Sequence, residues 1–163
     1  MLRWLSMALA VGLLLAAGPA YADHPTRGQA TLTGLPGVEV AVTLDGPLRS
    51  NGVTAAAVRR AIAKRLQEAG VPTGAERHAA RLHVRLDARK ATREYLALAI
   101  ALELRQHVRL ERAPEQVISA VTWSNAAVAP LRDGEFGRVP ARVADLVVRT
   151  FVRDFKAANR QGG

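Results

Sequence analysis

From Tyr95 to Glu111 the chain alternates. Leu96, Leu98, Ile100, Leu102, Leu104, Val108 and Leu110 fall on one parity, where Gln106 is the single polar member. Tyr95, Ala97, Ala99, Ala101, Glu103, Arg105, His107, Arg109 and Glu111 fall on the other. Side chains on an extended chain point to opposite faces in turn, so this stretch predicts a long strand with one apolar face and one open face. Ala, Leu, Glu and Arg also favour helices, but a helix would scatter the leucines around its circumference. The period selects strand.

Shorter alternations flank it. Val38 to Leu44 predicts a first strand after the turn Leu35-Pro36-Gly37, and Asp45-Gly46-Pro47 ends it. Arg81 to Arg89 predicts a second, with Leu82, Val84 and Leu86 against Arg81, His83, Arg85, Asp87 and Arg89. A polar turn near Lys90 to Arg93 leads into the long strand. Ala113 to Gln116 turns again, and Val117 to Ser124 returns as a fourth strand. Asn125 to Val139, with Pro130, Asp133-Gly134 and Gly137, reads as a loop.

Two segments carry helical spacing instead. Thr54 is an N-cap candidate for Ala55 to Ala69, with Val58, Ile62, Leu66 and Ala69 on one side and Gly70 and Pro72 as the stop. Pro140 suits a first helical turn, and Val143, Leu146, Val147, Phe151, Phe155 and Ala158 then form a stripe. The order β-α-β-β-β-α predicts an α+β fold. It is a two-layer sandwich in which a mostly antiparallel sheet of about four strands has both helices on the leucine face.

The first residues stand apart. A short positive start at Arg3, an apolar stretch from Trp4 to Ala17, a Gly18-Pro19 break and Ala20-Tyr21-Ala22 make residues 1–22 a predicted signal peptide. Residues 23–34 are expected to be a flexible lead-in, 35–159 a single domain and 160–163 a frayed tail. An apolar run this short does not span a hydrocarbon core of roughly 30 Å. The chain holds no cysteine, which excludes disulfides, thiol chemistry, cysteine zinc sites and a lipidated N-terminal Cys. The expectation is an exported, soluble periplasmic or secreted protein without membrane insertion after cleavage.

The chain carries +9, and beyond residue 22 it holds 22 basic and 14 acidic residues, for +8. Such an excess favours acidic partners. The basic residues are nearly all arginine and are spread along the chain, which fits composition bias as well as a polyanion site. No specific nucleic-acid site is expected.

The open faces bring a few ionisable groups into view. His83 and Asp87, and Glu103 and His107, each lie four apart on one strand and suit a metal or acid-base chemistry by residue type. A turn near Arg89 to Glu94 would set His83 opposite roughly Ala99 and leave His107 beyond the strand's end, so the four do not converge. No metal ligand, cofactor or catalytic residue is predicted, and no nucleophile elbow, phosphate loop, zinc helix or repeat is present. Trp123 has two registers open to it. One sets it beside Arg105 on the open face; the other groups Trp123, Val121 and Val117 with the leucines, and that parity is the more apolar.

Glu103-Leu104-Arg105-Gln106, then Val108, Leu110-Glu111-Arg112 and Thr122-Trp123-Ser124, with Ala157-Ala158-Asn159 near the end, resembles a group of small exported bacterial proteins of unassigned function. The resemblance covers most of the chain beyond residue 22 and implies no substrate, cofactor or catalytic residue. The element order is also similar to periplasmic envelope-complex modules, namely the N-terminal domain of the Tol–Pal translocation protein and penicillin-binding-protein activator lipoproteins. The missing cysteine departs from the lipoproteins.

Three functions follow as expectations. The first is a non-catalytic module that meets an envelope protein or itself through the open face at Tyr95, Ala97, Ala99, Ala101, Glu103 and Arg105, or through a strand edge. The second is a binder of an acidic ligand or polymer through Arg81, Arg85, Arg105 and Arg109. The third is a hydrolase whose pocket the sequence does not reveal.

Overall fold

The computed structural model of the chain describes residues 27–74 and 80–160. The predicted signal peptide and residues 161–163 of the tail lie outside the described residues. Helix α1 (Arg27–Ala30) precedes strand β1 (Val38–Asp45), the short helix α2 (Pro47–Ser50) and helix α3 (Ala55–Glu68). Strands β2 (Ala80–Lys90), β3 (Tyr95–Leu110) and β4 (Ala113–Arg132) follow. A 3-10 turn at Phe136–Arg138 then leads into helix α4 (Val139–Val147), a π-helical turn at Val148–Val152 and helix α5 (Arg153–Arg160).

The four strands lie in the order β1-β2-β3-β4, with β1 parallel to β2 and the other two pairs antiparallel. A parallel neighbour needs a long crossover, and α3 supplies it between β1 and β2. The leucine row does what its period predicts. Leu96, Leu98, Ile100, Leu102 and Leu104 are buried with Leu82, Val84 and Leu86 of β2 and with Val58, Ile62, Leu66, Val143, Val147 and Phe151 of the helices. The protein is therefore an α+β two-layer sandwich with a mixed sheet and helices on one face.

Local chemistry sets the helix ends. The Thr54 hydroxyl accepts from the Ala57 amide at 3.1 Å and occupies one of the donors that a first turn leaves free. Gly70 takes φ +79, and the amides of Gly70 and Val71 bond back to the carbonyls of Gln67 and Leu66. Replacing Thr54 by Ala is expected to lower stability by about 1 kcal/mol, read from urea unfolding, with no change of fold.

Several boundaries move. Residues 27–34 of the expected lead-in belong to the packed structure, residues 23–26 lying outside the described residues: Leu32 is fully buried, and the Thr31 hydroxyl donates to the Thr122 carbonyl at 3.1 Å. The stretch from Asn125 to Arg132, expected as loop, continues β4 and pairs with β3 from Leu102 to Tyr95. Alanines at 126, 127 and 129 give both faces the same character, so no alternation marks the strand. Its partner marks it instead, because the first half of β3 would otherwise have no neighbour on that side. Pro130 is tolerated there because β4 is the sheet edge. The turn into β4 falls at Glu111-Arg112, earlier than expected.

The Trp123 question is resolved by an irregularity in the ladder. Leu104 pairs with Trp123 and Arg105 pairs with Val121, so Thr122 is an extra residue and β4 is bulged. The bulge reverses the parity. Trp123 turns inward, 4% exposed, while Val121 and Val117 share the open face with Arg105 and Arg109. Grouping the three together with the leucines is thus half corrected: the tryptophan is core and both valines are outside.

Candidate interaction face

The face opposite the helices is built by cross-strand register. Reading across the sheet, one row holds Glu39, Arg81, Arg105 and Val121; the next Ala41, His83, Glu103 and Ser124. Then come Thr43, Arg85, Ala101 and Ala126, followed by Asp45, Asp87, Ala99 and Val128. Directly paired residues share a face, so these rows are contact neighbours.

The rows divide the face in two. The half on β1 and β2 is polar and largely satisfied. Arg81 donates twice to Glu39, at 3.0 and 3.1 Å, and the His83 ring nitrogen Nε2 lies 2.9 Å from the Thr43 hydroxyl. The half on β3 and β4 is small or apolar from Tyr95 to Ala101 and across to Ala126 and Val128, and turns polar from Glu103 onward. Tyr95, Val117, Val121 and Val128 are 41% to 73% exposed on this face, and Ile118, which pairs with Val108, is exposed on the other. All of them lie on these two strands. Ala99 and Ala126 are exposed between them, and a shallow depression of ≈ 430 Å³ runs past Arg85, Asp87, Ala99, Ala101, Ala126 and Val128.

The predicted contact residues Tyr95, Ala97, Ala99, Ala101, Glu103 and Arg105 therefore do share one face. Glu103 and Arg105 pair with each other at 3.0 Å. The predicted arginines are less uniform. Arg81 and Arg105 are opposite one another, but each is matched by a carboxylate, Glu39 or Glu103. Arg109 donates to the Pro114 carbonyl at 3.1 Å on the two-stranded extension of the sheet beyond Arg105. Arg85 sits beside the depression.

The ionisable quartet needs one correction. His83 pairs with Glu103 and not with Ala99, because the ladder closes at Lys90 and Leu96 and leaves a loop of residues 91–95. The Ala91 and Thr92 amides both donate to the Tyr95 carbonyl at 3.0 Å and fix that closure. Asp87 instead faces Ala99, and His107 lies two residues past the last β2 partner. Two of the four groups meet and two stay apart. Among the described residues no cluster of three metal-ligating side chains forms. One Asp87 oxygen, Oδ1, is buried without a hydrogen-bond partner among them, while Oδ2 accepts from Arg89 at 2.9 Å.

Behind this face sits a polar anchor that the sequence reading missed. Asp154 is the buried charged side chain of the described residues. Its carboxylate accepts from Trp123 Nε1 at 3.1 Å, Gln29 Nε2 at 3.2 Å and Arg153 Nε at 2.9 Å. The signal was available: Asp154 falls three residues after Phe151 on the apolar stripe, where an acid is out of place unless a donor meets it.

No protein-family model matches the chain, and comparison with curated proteins gives no match. Among solved structures, a minor lipoprotein from Acinetobacter baumannii is similar at 9% identity with a TM-score of 0.42, covering 77% of this chain and 93% of that one. A superposition that loose carries no functional argument. No helix among the described residues is long and apolar enough to cross a membrane.

Proposed function

We propose that this chain is an exported, non-catalytic module that works by protein–protein contact in the bacterial envelope. The contact surface is the β3–β4 half of the open sheet face. One observation carries the reading: on the open face of these two strands Val128 and Tyr95 are exposed beside a floor of alanines that lets another backbone approach closely, with exposed Val121 further along the same face. Grouped apolar exposure marks contact surfaces, whereas scattered single residues do not. The contact is with an envelope protein or with a second copy of the chain.

Ala99→Arg tests this. The side chain points away from the core, so the fold is retained and an added cation stands where a partner would lie. Capture of envelope proteins by the immobilised chain, or its self-association by light scattering, is expected to weaken about tenfold or more. Unchanged capture and an unchanged scattering mass would overturn the reading.

Binding of an acidic ligand is the weaker alternative. Its support is Arg85 beside the depression; against it, Arg81 and Arg105 are already matched by carboxylates. Binding to heparin that falls steeply as salt rises would favour it over the contact reading.

A further inference from the structure

β4 runs for twenty residues with β3 on one side and no described strand on the other. An unpaired edge of that length presents a row of free amides and carbonyls, and proteins commonly blunt such edges with charge. Here charge is missing. From Gln116 to Leu131, sixteen residues contain no charged side chain, although the whole chain carries +9. The edge is interrupted at the Thr122 bulge, whose carbonyl accepts from the Thr31 hydroxyl just past α1, and at Pro130, which has no amide to offer.

We infer that two copies of this chain pair through their β4 strands, antiparallel and about a two-fold axis, to form one continuous eight-stranded sheet. This rests on the contact reading above and names the occupant of its edge. Three observations select a second copy in this orientation. The flanking charges are opposite, Glu115 before the uncharged stretch and Arg132 after it. An antiparallel two-fold arrangement sets the acidic end of one strand toward the basic end of the other, while a parallel one would superimpose like charges. The stretch between them is uncharged, so the net positive charge that opposes self-association is held away from the seam. Lastly, Val128 is 73% exposed beside exposed Ser124 and Ala126, and a neighbouring strand would cover that valine with no bulky side chain to displace. A two-fold pairing is isologous and closes at two copies.

The other edge, β1, is a poorer partner. It is eight residues long and carries Glu39 and Asp45, and a β4-to-β1 contact would be head-to-tail and would not close.

Sedimentation equilibrium of the purified chain over a concentration series tests the pairing. A monomer–dimer equilibrium is expected, with Ala126→Lys and Val128→Lys each weakening dimerisation by about tenfold or more, since each puts a charge into the uncharged seam. Because the chain has no cysteine, single substitutions give a second readout that does not depend on those variants folding. Under mild oxidation Ser124→Cys, Ala126→Cys or Val128→Cys forms a disulfide dimer at the position nearest the axis, and Ala41→Cys on β1 does not. A monomer up to about 1 mM, an open-ended series of larger species, or a dimer indifferent to both lysines would overturn the inference. If the chain is a monomer yet still captures an envelope protein in a manner sensitive to Ala99→Arg, the contact reading stands and this one falls. If neither dimer nor capture is found, both fall.

Discussion

Trp123→Ala is expected to lower stability by about 3–5 kcal/mol, the range for removing a buried aromatic side chain. Three losses combine. The ring packs edge-on against Phe151, with centroids 5.2 Å apart and planes at 78°. It also lies close over the first helix: a Cβ added to Gly28 would sit 3.4 Å from its Cδ1. And its Nε1 is one of the donors to the buried Asp154 carboxylate. Truncation leaves a cavity and removes one partner from a buried charge. Trp123→Phe separates the terms, since it keeps much of the volume and deletes only the donor; about 1–3 kcal/mol is expected from that change alone. Urea unfolding followed by circular dichroism measures both. A Trp123→Ala variant as stable as the parent would mean that α1, β4 and α5 are not joined through this residue.

The second large effect is a contrast between neighbours. Leu98 and Ala99 are adjacent, yet Leu98 is fully buried and Ala99 is exposed. Leu98→Asp places a carboxylate in the buried apolar cluster, across from Ala88 and one row from Leu86. A folded domain is stable by only about 5–15 kcal/mol, and the lost apolar burial together with an unpaired buried charge is expected to consume most of it. The outcome is an unfolded or insoluble chain at 25 °C. Ala99→Arg, one residue on, is expected to stay within about 0.5 kcal/mol of the parent, as surface changes usually do. Thermal unfolding of the two variants side by side is the check. If both are tolerated, or both unfold, the leucine row and the alanine row do not lie on opposite faces.

The pairing of these effects bears on function. Residues that hold the fold and residues proposed to meet a partner alternate along one strand, so each can be changed without the other. That separation makes the partner experiments interpretable: Ala99→Arg and Val128→Lys alter the open face while the Trp123–Asp154 anchor and the leucine row stay intact.

Legibility followed the strength of the local pattern. The leucine row, the capped helix with its Gly70 stop and the two-layer arrangement were all readable, because periodicity and end chemistry are properties of short stretches. The candidate face was readable as a parity. Its composition was not, since which residues stand beside Ala99 depends on pairing with Asp87 and Val128 from distant parts of the chain. The pairing of His83 with Glu103 turned on where one loop closes.

The sequence by itself determined that β3 has a greasy row and a small row, and that two amphipathic helices must cover the first. Only the tertiary structure decided that Asn125 to Arg132 is strand, that Thr122 is extra, and that Trp123 therefore leaves Val117 and Val121 on the other side. The physical reason is the period of two. A single inserted residue exchanges the faces of everything beyond it, and an insertion is defined only against the strand it pairs with. The same holds for the uncharged edge: its composition can be read along the chain, but that it is an edge is a fact about the sheet.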